Sequence, residues 1–304
     1  MHKVILWGMG DGYNRFVSYR GYEQVEIVAL VDSGNMYHSQ IDGIPIINPK
    51  SIRDKNIYFE YIVVTVVSKQ YFEEIVSEAE KLGIYREKII PLRVFQIPFF
   101  NFDDYIRIKE SNISIVSDYC LGGFLYHKFG LKFLSPTINM FSTNDNYIKF
   151  IENMDRYMNM PMVETTDTIN NTYLGRFTFP RGYVGDVEWI FNHALDFEEA
   201  AERWEKGVSR FNWENYIVLM TIRSDEMAYR FNELQIANKI GFYWKDLKLE
   251  NVVCLKEWDS PQIRQRFGYD FARYVNEIAN EGFGVRAIDW MNVLLHKKTI
   301  TRVD

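Results

Sequence analysis

Apolar residues fall along this chain in two recurring patterns. Short unbroken runs stop at glycine or at a turn. Longer stretches repeat an apolar residue every three to four positions. The first pattern predicts buried parallel strands and the second amphipathic helices. Val4-Ile5-Leu6-Trp7 is the first run, and Gly8 ends it. A helix is predicted over 13–22 with Phe16 and Val17 inward, then a strand over 25–31 with Asp32 at its end. Residues 43–47 predict a short element after a turn. The β-branched run over 61–67 predicts a central strand. Residues 71–82 predict a helix with Phe72, Ile75, Val76, Ala79 and Leu82 on one face, stopped at Gly83. Residues 89–92 read as the next strand.

The alternation then repeats. A strand is predicted over 113–117, a helix over 124–129 that stops at Gly130, and a helix over 147–157. Residues 182–190 predict a turn and a strand. Residues 196–207 predict a helix capped by Asp196, acidic early and basic late, as the helix dipole favours. Strands follow at 216–221, 239–243 and 252–255, the last holding Cys254 as a core residue. Helices are predicted over 226–238 and 269–279, the latter on Phe271, Tyr274, Val275 and Ile278. Residues 290–304 predict a short helix and a frayed tail. Phe95, Phe99, Phe100, Phe102 and Tyr105 crowd the junction at 94–112, which predicts a packed seam between domains rather than a flexible linker. The predicted fold class is α/β, with a Rossmann-like N-terminal domain over 1–108 followed by a second three-layer α/β domain over 109–304.

Two places in this pattern carry candidate chemistry. The first is Gly8-Met9-Gly10-Asp11-Gly12, between a strand and a helix. Glycines there let backbone amides approach a phosphate, and an acid about 20 residues on can accept from a ribose hydroxyl. Gly8, Gly10, Gly12 and Asp32 are therefore candidate ligand-binding residues. The spacing departs from G-x-G-x-x-G, because Tyr13 stands where the third glycine belongs and Gly12 comes one position early. Asp11 also sets a carboxylate where a pyrophosphate would lie. A nucleotide or nucleotide-sugar site and a unit of the same fold that binds neither both remain open.

The second place is Ser117-Asp118-Tyr119-Cys120-Leu121-Gly122-Gly123. A helix starting near Gly122 would aim free amides at whatever sits beside Ser117 and Cys120, which suits an anion or an oxyanion. It would also lower the pKa of a thiol at its start. Cys120 is the candidate nucleophile, with His193 or His127 as base. Ser117, Gly122 and Gly123 line the loop. Arg203, Arg210 and Arg223 are candidates to hold phosphate or carboxylate, Arg210 and Arg223 foremost. A buried cysteine that only packs is the competing reading.

Composition narrows the classes. The 304 residues carry a net charge of -6 and no long basic run, so nucleic acid is not an expected partner. Two cysteines, Cys120 and Cys254, do not make a disulfide scaffold. The N-terminus lacks signal-peptide character, and no apolar run is long enough to span a bilayer, so a cytoplasmic protein without membrane insertion is expected. No metal-ligand spacing, serine elbow or P-loop is present, no metal is expected, and the sequence names no cofactor. Aromatics at 16% fit either core packing or a ring-lined ligand site. Monomer and oligomer both remain open.

Residues Val31-Asp32-Ser33 and Gly43-Ile44-Pro45-Ile46 resemble small Rossmann-like domains at the N-termini of bacterial sugar acyltransferases and nucleotide-sugar epimerase relatives. The second part is similar to the DUF1919 family. That likeness rests on residues 115–123, on Leu134-Ser135-Pro136-Thr137, on Gly185-Asp186-Val187-Glu188 with Phe191-Asn192-His193, and on residues 200–206 and 210–215. The family usually has paired asparagines and a tryptophan where this chain has Asp118-Tyr119 and Leu121. Any activity that needs both asparagine amides is in question here. The resemblance implies a setting in exopolysaccharide biosynthesis. The expected function is a transferase acting on a glycan or nucleotide-sugar, with a nucleotide-sugar, glycan or acyl-CoA as ligand. The alternatives are a non-catalytic nucleotide-sugar-binding or regulatory protein, and an interaction subunit of surface polysaccharide assembly.

Overall fold

The computed structural model describes residues 1–19, 21–34, 39–54, 57–165, 179–268, 270–281 and 288–298. The chain divides into two compact units, Met1–Ile106 and Arg107–Asp304. Both are mixed α/β and each contains a parallel sheet.

In the first unit, β1 (His2–Trp7) lies between β2 (Val25–Val31) and β5 (Tyr61–Val64), parallel to both. β4 (Ile44–Ile47) extends the sheet beside β2, with β3 (Gln40–Ile41) antiparallel at its edge, and β6 (Ile89–Pro91) extends it beside β5. The order is β3-β4-β2-β1-β5-β6. α1 (Gly12–Ser18) follows β1, α2 (Ser51–Asp54) follows β4 and α3 (Lys69–Lys81) follows β5. Ile5, Trp7, Ala29, Val31, Ile62 and Val64 share one cluster with Val76 and Ala79 of α3. Burial of Val4, Ile5, Leu6 and Trp7 explains the unbroken apolar run. The boundary between units falls within α4 (Phe102–Glu110).

Two elements of this unit end well before the pattern predicts. α1 ends at Ser18, because the chain turns through Gly21 in a left-handed conformation before Val25; Phe16 is buried while Val17 is half-exposed. β5 ends at Val64, and Val67 lies exposed beyond the sheet. The 61–67 run is apolar past the point where a neighbouring strand can pair with it. The junction aromatics do pack, within the first unit: Phe95 meets Phe16 and Phe100 with ring centroids at 4.8 Å in each case. Gln24 ties this cluster down, donating to Phe100 O and accepting from Phe102 N.

The second unit opens with β7 (Ser114–Ser117) and α5 (Leu121–Phe129), closed at Gly130 in the left-handed region. α6 (Asn144–Glu152) and α7 (Met154–Met158) replace the single helix expected over 147–157; Asn153, at φ −141°, breaks it. A three-stranded antiparallel sheet follows: β8 (Met162–Glu164), β9 (Arg181–Val184) and β10 (Val187–Ile190). Residues 182–190, expected as a turn and a strand, form most of the β9–β10 hairpin around Gly185. α8 (Phe197–Ser209) starts at Asp196, whose Oδ1 accepts from the Glu199 amide at 2.8 Å. β11 (Tyr216–Thr221), α9 (Asp225–Glu233), β12 (Lys239–Tyr243) and β13 (Val252–Cys254) complete a four-stranded parallel sheet with the order β13-β12-β11-β7. α9 ends earlier than expected, at Glu233, since Leu234 is extended.

α10 (Pro261–Phe267), α11 (Phe271–Glu281) and α12 (Trp290–His296) follow. Of the helix expected over 269–279, Tyr269 and the Ile278 side chain lie outside the described residues, as does the tail after residue 298. Val116, Val218 and Met220 share a cluster with Trp189 and Trp204, while Ile115, Ile217 and Leu219 are buried as well. The edge strand β7 and its neighbour β11 are therefore dry on both faces, and side chains can act only at the strand ends. Cys254 is half-buried, not a core residue; its thiol donates to Trp244 O. Among the described residues no helix is long and apolar enough to cross a membrane.

Candidate functional site at the end of β7

The carboxyl ends of β7 and β11 lie side by side, with Ser117 paired to Leu219. Ligand sites of open parallel sheets form at such ends. After Ser117 the chain turns directly into α5, and Ser117 holds that turn. Its hydroxyl accepts from the Gly122 amide at 3.0 Å and donates to Tyr119 O at 2.6 Å. A Cβ on Gly122 would stand 2.9 Å from Ser117 Oγ, and one on Gly123 would stand 2.5 Å from Asn139 Oδ1. The two glycines let α5 begin this close to β7 and to the 137–139 segment. Ser117 thus uses one first-turn amide itself. The amides of Leu121 and Gly123 show no hydrogen bond among the described residues.

Cys120 is the residue immediately before α5. His193 and Asn192 reach it from the segment after β10. His193 Nε2 lies 3.8 Å from Cys120 Sγ, and Asn192 Nδ2 lies 3.5 Å from it. Backbone ties fix this meeting. Phe141 and Ile190 exchange two amide hydrogen bonds of 2.9 Å, forming a bridge outside the named strands. Ser142 continues it: its amide donates to Asp118 O and its hydroxyl to Glu188 O. On the far side, Phe191 N donates to Pro180 O and Arg203 Nη1 to His193 O.

Asp118 and Thr221 form the floor, both fully buried. Asp118 Oδ1 accepts the Thr221 amide at 3.0 Å, while Oδ2 has no hydrogen-bond partner among the described residues. An asparagine side-chain oxygen would accept that same amide, so aspartate at 118 keeps the acceptor and lacks the amide donor. Burial pushes the Asp118 carboxyl up to about 7, against the opposing pull of the Thr221 amide and Arg223. Asn144 clamps the end of β11 by donating to Thr221 O and accepting from Arg223 N. Tyr119 packs on Phe141 with centroids 5.5 Å apart.

One expectation is reversed. The start of α5 does not lower the Cys120 pKa. Burial pushes the thiol up; the Asn192 hydrogen bond opposes this by less, and the Asp118 charge adds a smaller rise. His193 moves the other way: partial burial, then the Arg203 charge, hold its imidazole below the ordinary histidine range. At neutral pH the pair is a neutral thiol beside a neutral imidazole. That arrangement can pass a proton from sulfur to nitrogen as sulfur attacks.

The structure therefore gathers Ser117, Cys120, Gly122, Gly123 and His193, with Arg223 close enough to act on Asp118. His127 is exposed on α5, and Arg210 is exposed just after α8. Among the described residues, the side chains that meet the thiol are those of His193 and Asn192. Asn192, Asp118 and Thr221 carry no role in the sequence pattern. The available signals are Asn192 standing next to His193 and the asparagine that the family usually carries at the position of Asp118. In the first unit, Gly8 and Gly12 close onto Thr65 and Val66. A Cβ on Gly8 would meet Val66 Cγ1 at 2.8 Å, and one on Gly12 would clash with the Thr65 side chain. Gly10 is open, with nothing within 4 Å of its Cβ position. Asp32 Oδ1 accepts from the Gly34 amide at 2.8 Å. Among the described residues no group of histidine, cysteine and acidic side chains could hold a metal.

Residues 1–90 match a family model described as C2185-like, N-terminal. An uncharacterised protein of Haemophilus influenzae is 26% identical over 144 residues, which is 46% of this chain and 65% of that protein. The chain thus spans less than two thirds of that relative's length. The model described as a domain of unknown function, DUF1919, matches residues 92–292, which hold every residue of the Cys120 site, and the chain belongs to that family.

Proposed function

We propose that this protein is a group-transfer enzyme whose chemistry runs through Cys120, acting on a glycan or nucleotide-sugar in exopolysaccharide assembly. The observation that carries the reading is the 3.8 Å approach of His193 Nε2 to the Cys120 thiol. Acyl transfer is the reaction that best suits it. His193 takes the thiol proton as sulfur attacks an acyl carbon, a thioester forms, and the donor's leaving group departs. A hydroxyl of the sugar then takes the acyl group and frees the thiol. The glycan setting comes from the family likeness and the acyl chemistry from the site.

The first unit is read as a Rossmann-like domain. Its parallel order β4-β2-β1-β5-β6, with the glycine loop after the central β1, supports this. The second unit is read as a three-layer α/β domain. Cytoplasmic location belongs to the same proposal.

Intact-mass analysis after incubation with acetyl-CoA tests the function. The expected result is one acetyl group on the wild type and none on Cys120→Ala. No adduct, together with binding of a nucleotide-sugar, would replace this reading with that of a non-catalytic sensor. One observation favours the sensor: burial raises the thiol pKa instead of lowering it.

A further inference from the structure

The pair Cys120 and His193 accounts for the nucleophile and the base, but not for the negative charge that develops on the acyl oxygen. That charge needs preorganised donors. Asn192 is placed to supply one. Its Nδ2 points at Sγ from 3.5 Å, and its Oδ1 is buried with no hydrogen-bond partner among the described residues. A buried carboxamide oxygen left unsatisfied costs free energy, and the backbone that carries Asn192 sets this side chain against the thiol all the same. That backbone is held on both sides, by the Phe141–Ile190 bridge before Asn192 and by the bond from Arg203 to His193 O after it.

We infer that Asn192 is a further catalytic residue, whose carboxamide N–H holds the sulfur in the resting enzyme and the acyl oxygen in the transition state. The inference rests on the Cys120 reading above. The atoms involved are adjacent. As the Sγ–C bond forms, sulfur loses the electron density that made it an acceptor. The acyl oxygen, bonded to that same carbon, gains density and takes over the donor. The thiol proton goes to His193 Nε2, and the donor's leaving group, the CoA thiolate of acyl-CoA or the nitrophenolate of an activated ester, departs with the bonding pair. The first-turn amides of α5 at Leu121 and Gly123, which directly follow Cys120 in the chain, offer the companion donor.

Two reagents separate this role from simple stabilisation of the thiolate. Alkylation by iodoacetamide needs a nucleophilic sulfur but forms no oxyanion. Acylation by p-nitrophenyl acetate needs both. The measurement is the rate of each reaction at Cys120, followed by intact mass and nitrophenolate release, in the full-length wild type, Asn192→Ala and the isosteric Asn192→Asp. The expected result is acylation slowed about 10²- to 10³-fold in Asn192→Ala, with alkylation changed only a few-fold. In Asn192→Asp acylation is lost too, although the shape is kept. Equal slowing of both reactions, or unchanged acylation, overturns the role of Asn192 and leaves Cys120 as nucleophile. A wild type that is alkylated but never acylated at Cys120 overturns the acyl-transfer reading and the role of Asn192 with it.

Discussion

After β1 and after β7 the chain makes the same move, from a buried strand through glycines into a helix, yet the two junctions end differently. At the first, the glycines are consumed by packing. Gly8 and Gly12 leave room for Val66 and Thr65, and the Thr65 hydroxyl donates back to Trp7 O and Gly8 O. At the second, the glycines bring a helix start onto Ser117 and expose a thiol to groups from a distant hairpin. A glycine loop after a strand therefore says that two backbones approach closely. Whether chemistry follows depends on which side chains the rest of the fold delivers there.

The largest effect that sharpens this contrast is Cys120→Ala. It should lower acylation by p-nitrophenyl acetate by at least about 10⁴-fold, read as nitrophenolate release. A remaining rate near wild type would make the β7 junction as inert as the first. His193→Ala should cost about 10²- to 10⁴-fold in the same assay. Its pH profile adds a check. The imidazole must be neutral to accept a proton, and its pKa lies below the usual histidine value, so the wild-type rate should fall only in acid below the ordinary histidine range. An acid limb at or above that range would mean another base.

Asp118→Asn probes the floor through stability. The folded-state pKa of Asp118, about 7, is above its unfolded value. Its contribution to stability is therefore complete below the unfolded pKa and is lost as pH rises from there through about 7, a difference of roughly 4 kcal/mol. Asparagine retains the acceptor for the Thr221 amide and carries no charge. The variant should melt higher than the wild type at about pH 8, with the gap closing toward about pH 4. A gap independent of pH would show that Asp118 does not titrate in this window.

At the first junction, Gly12→Ala should destabilise by about 1–3 kcal/mol through overpacking against Thr65, with part of the loss recovered in Gly12→Ala/Thr65→Ala. Gly10→Ala should change stability by less than about 0.5 kcal/mol. If it nonetheless removes binding of a nucleotide-sugar in calorimetry, the first loop is a ligand cradle and the contrast drawn above fails.

Most strands were legible in the residue pattern because burial on both faces writes a continuous apolar run. Element ends were not. The β-branched run over 61–67 passes through Thr65 without a break in shape, and the stop of β5 at Val64 depends on where its neighbours end. Asn153 splits a helix whose apolar spacing runs on unbroken. For the site, Cys120, Ser117 and Gly122 could be found because they are neighbours in one loop. His193 could be named as a candidate base, but its approach to the thiol is a property of the fold. Thr221 had no local signal and Asn192 only its place beside His193, because their roles exist only once β10 and β11 lie beside β7. The pKa of Cys120 went the other way for the same reason: a helix start is visible in the sequence, while the depth at which it is buried is not.

The bridge between Phe141 and Ile190 also bears on when this protein becomes reactive. Thiol and imidazole are 73 positions apart in the chain. Contacts at such separation form late, after local helices and turns. During synthesis Cys120 emerges long before its partner, so the thiol has no base at hand until the hairpin has been made and docked. Competence at this site then coincides with completion of the second unit, and hydrogen exchange at the Phe141 and Ile190 amides would time it.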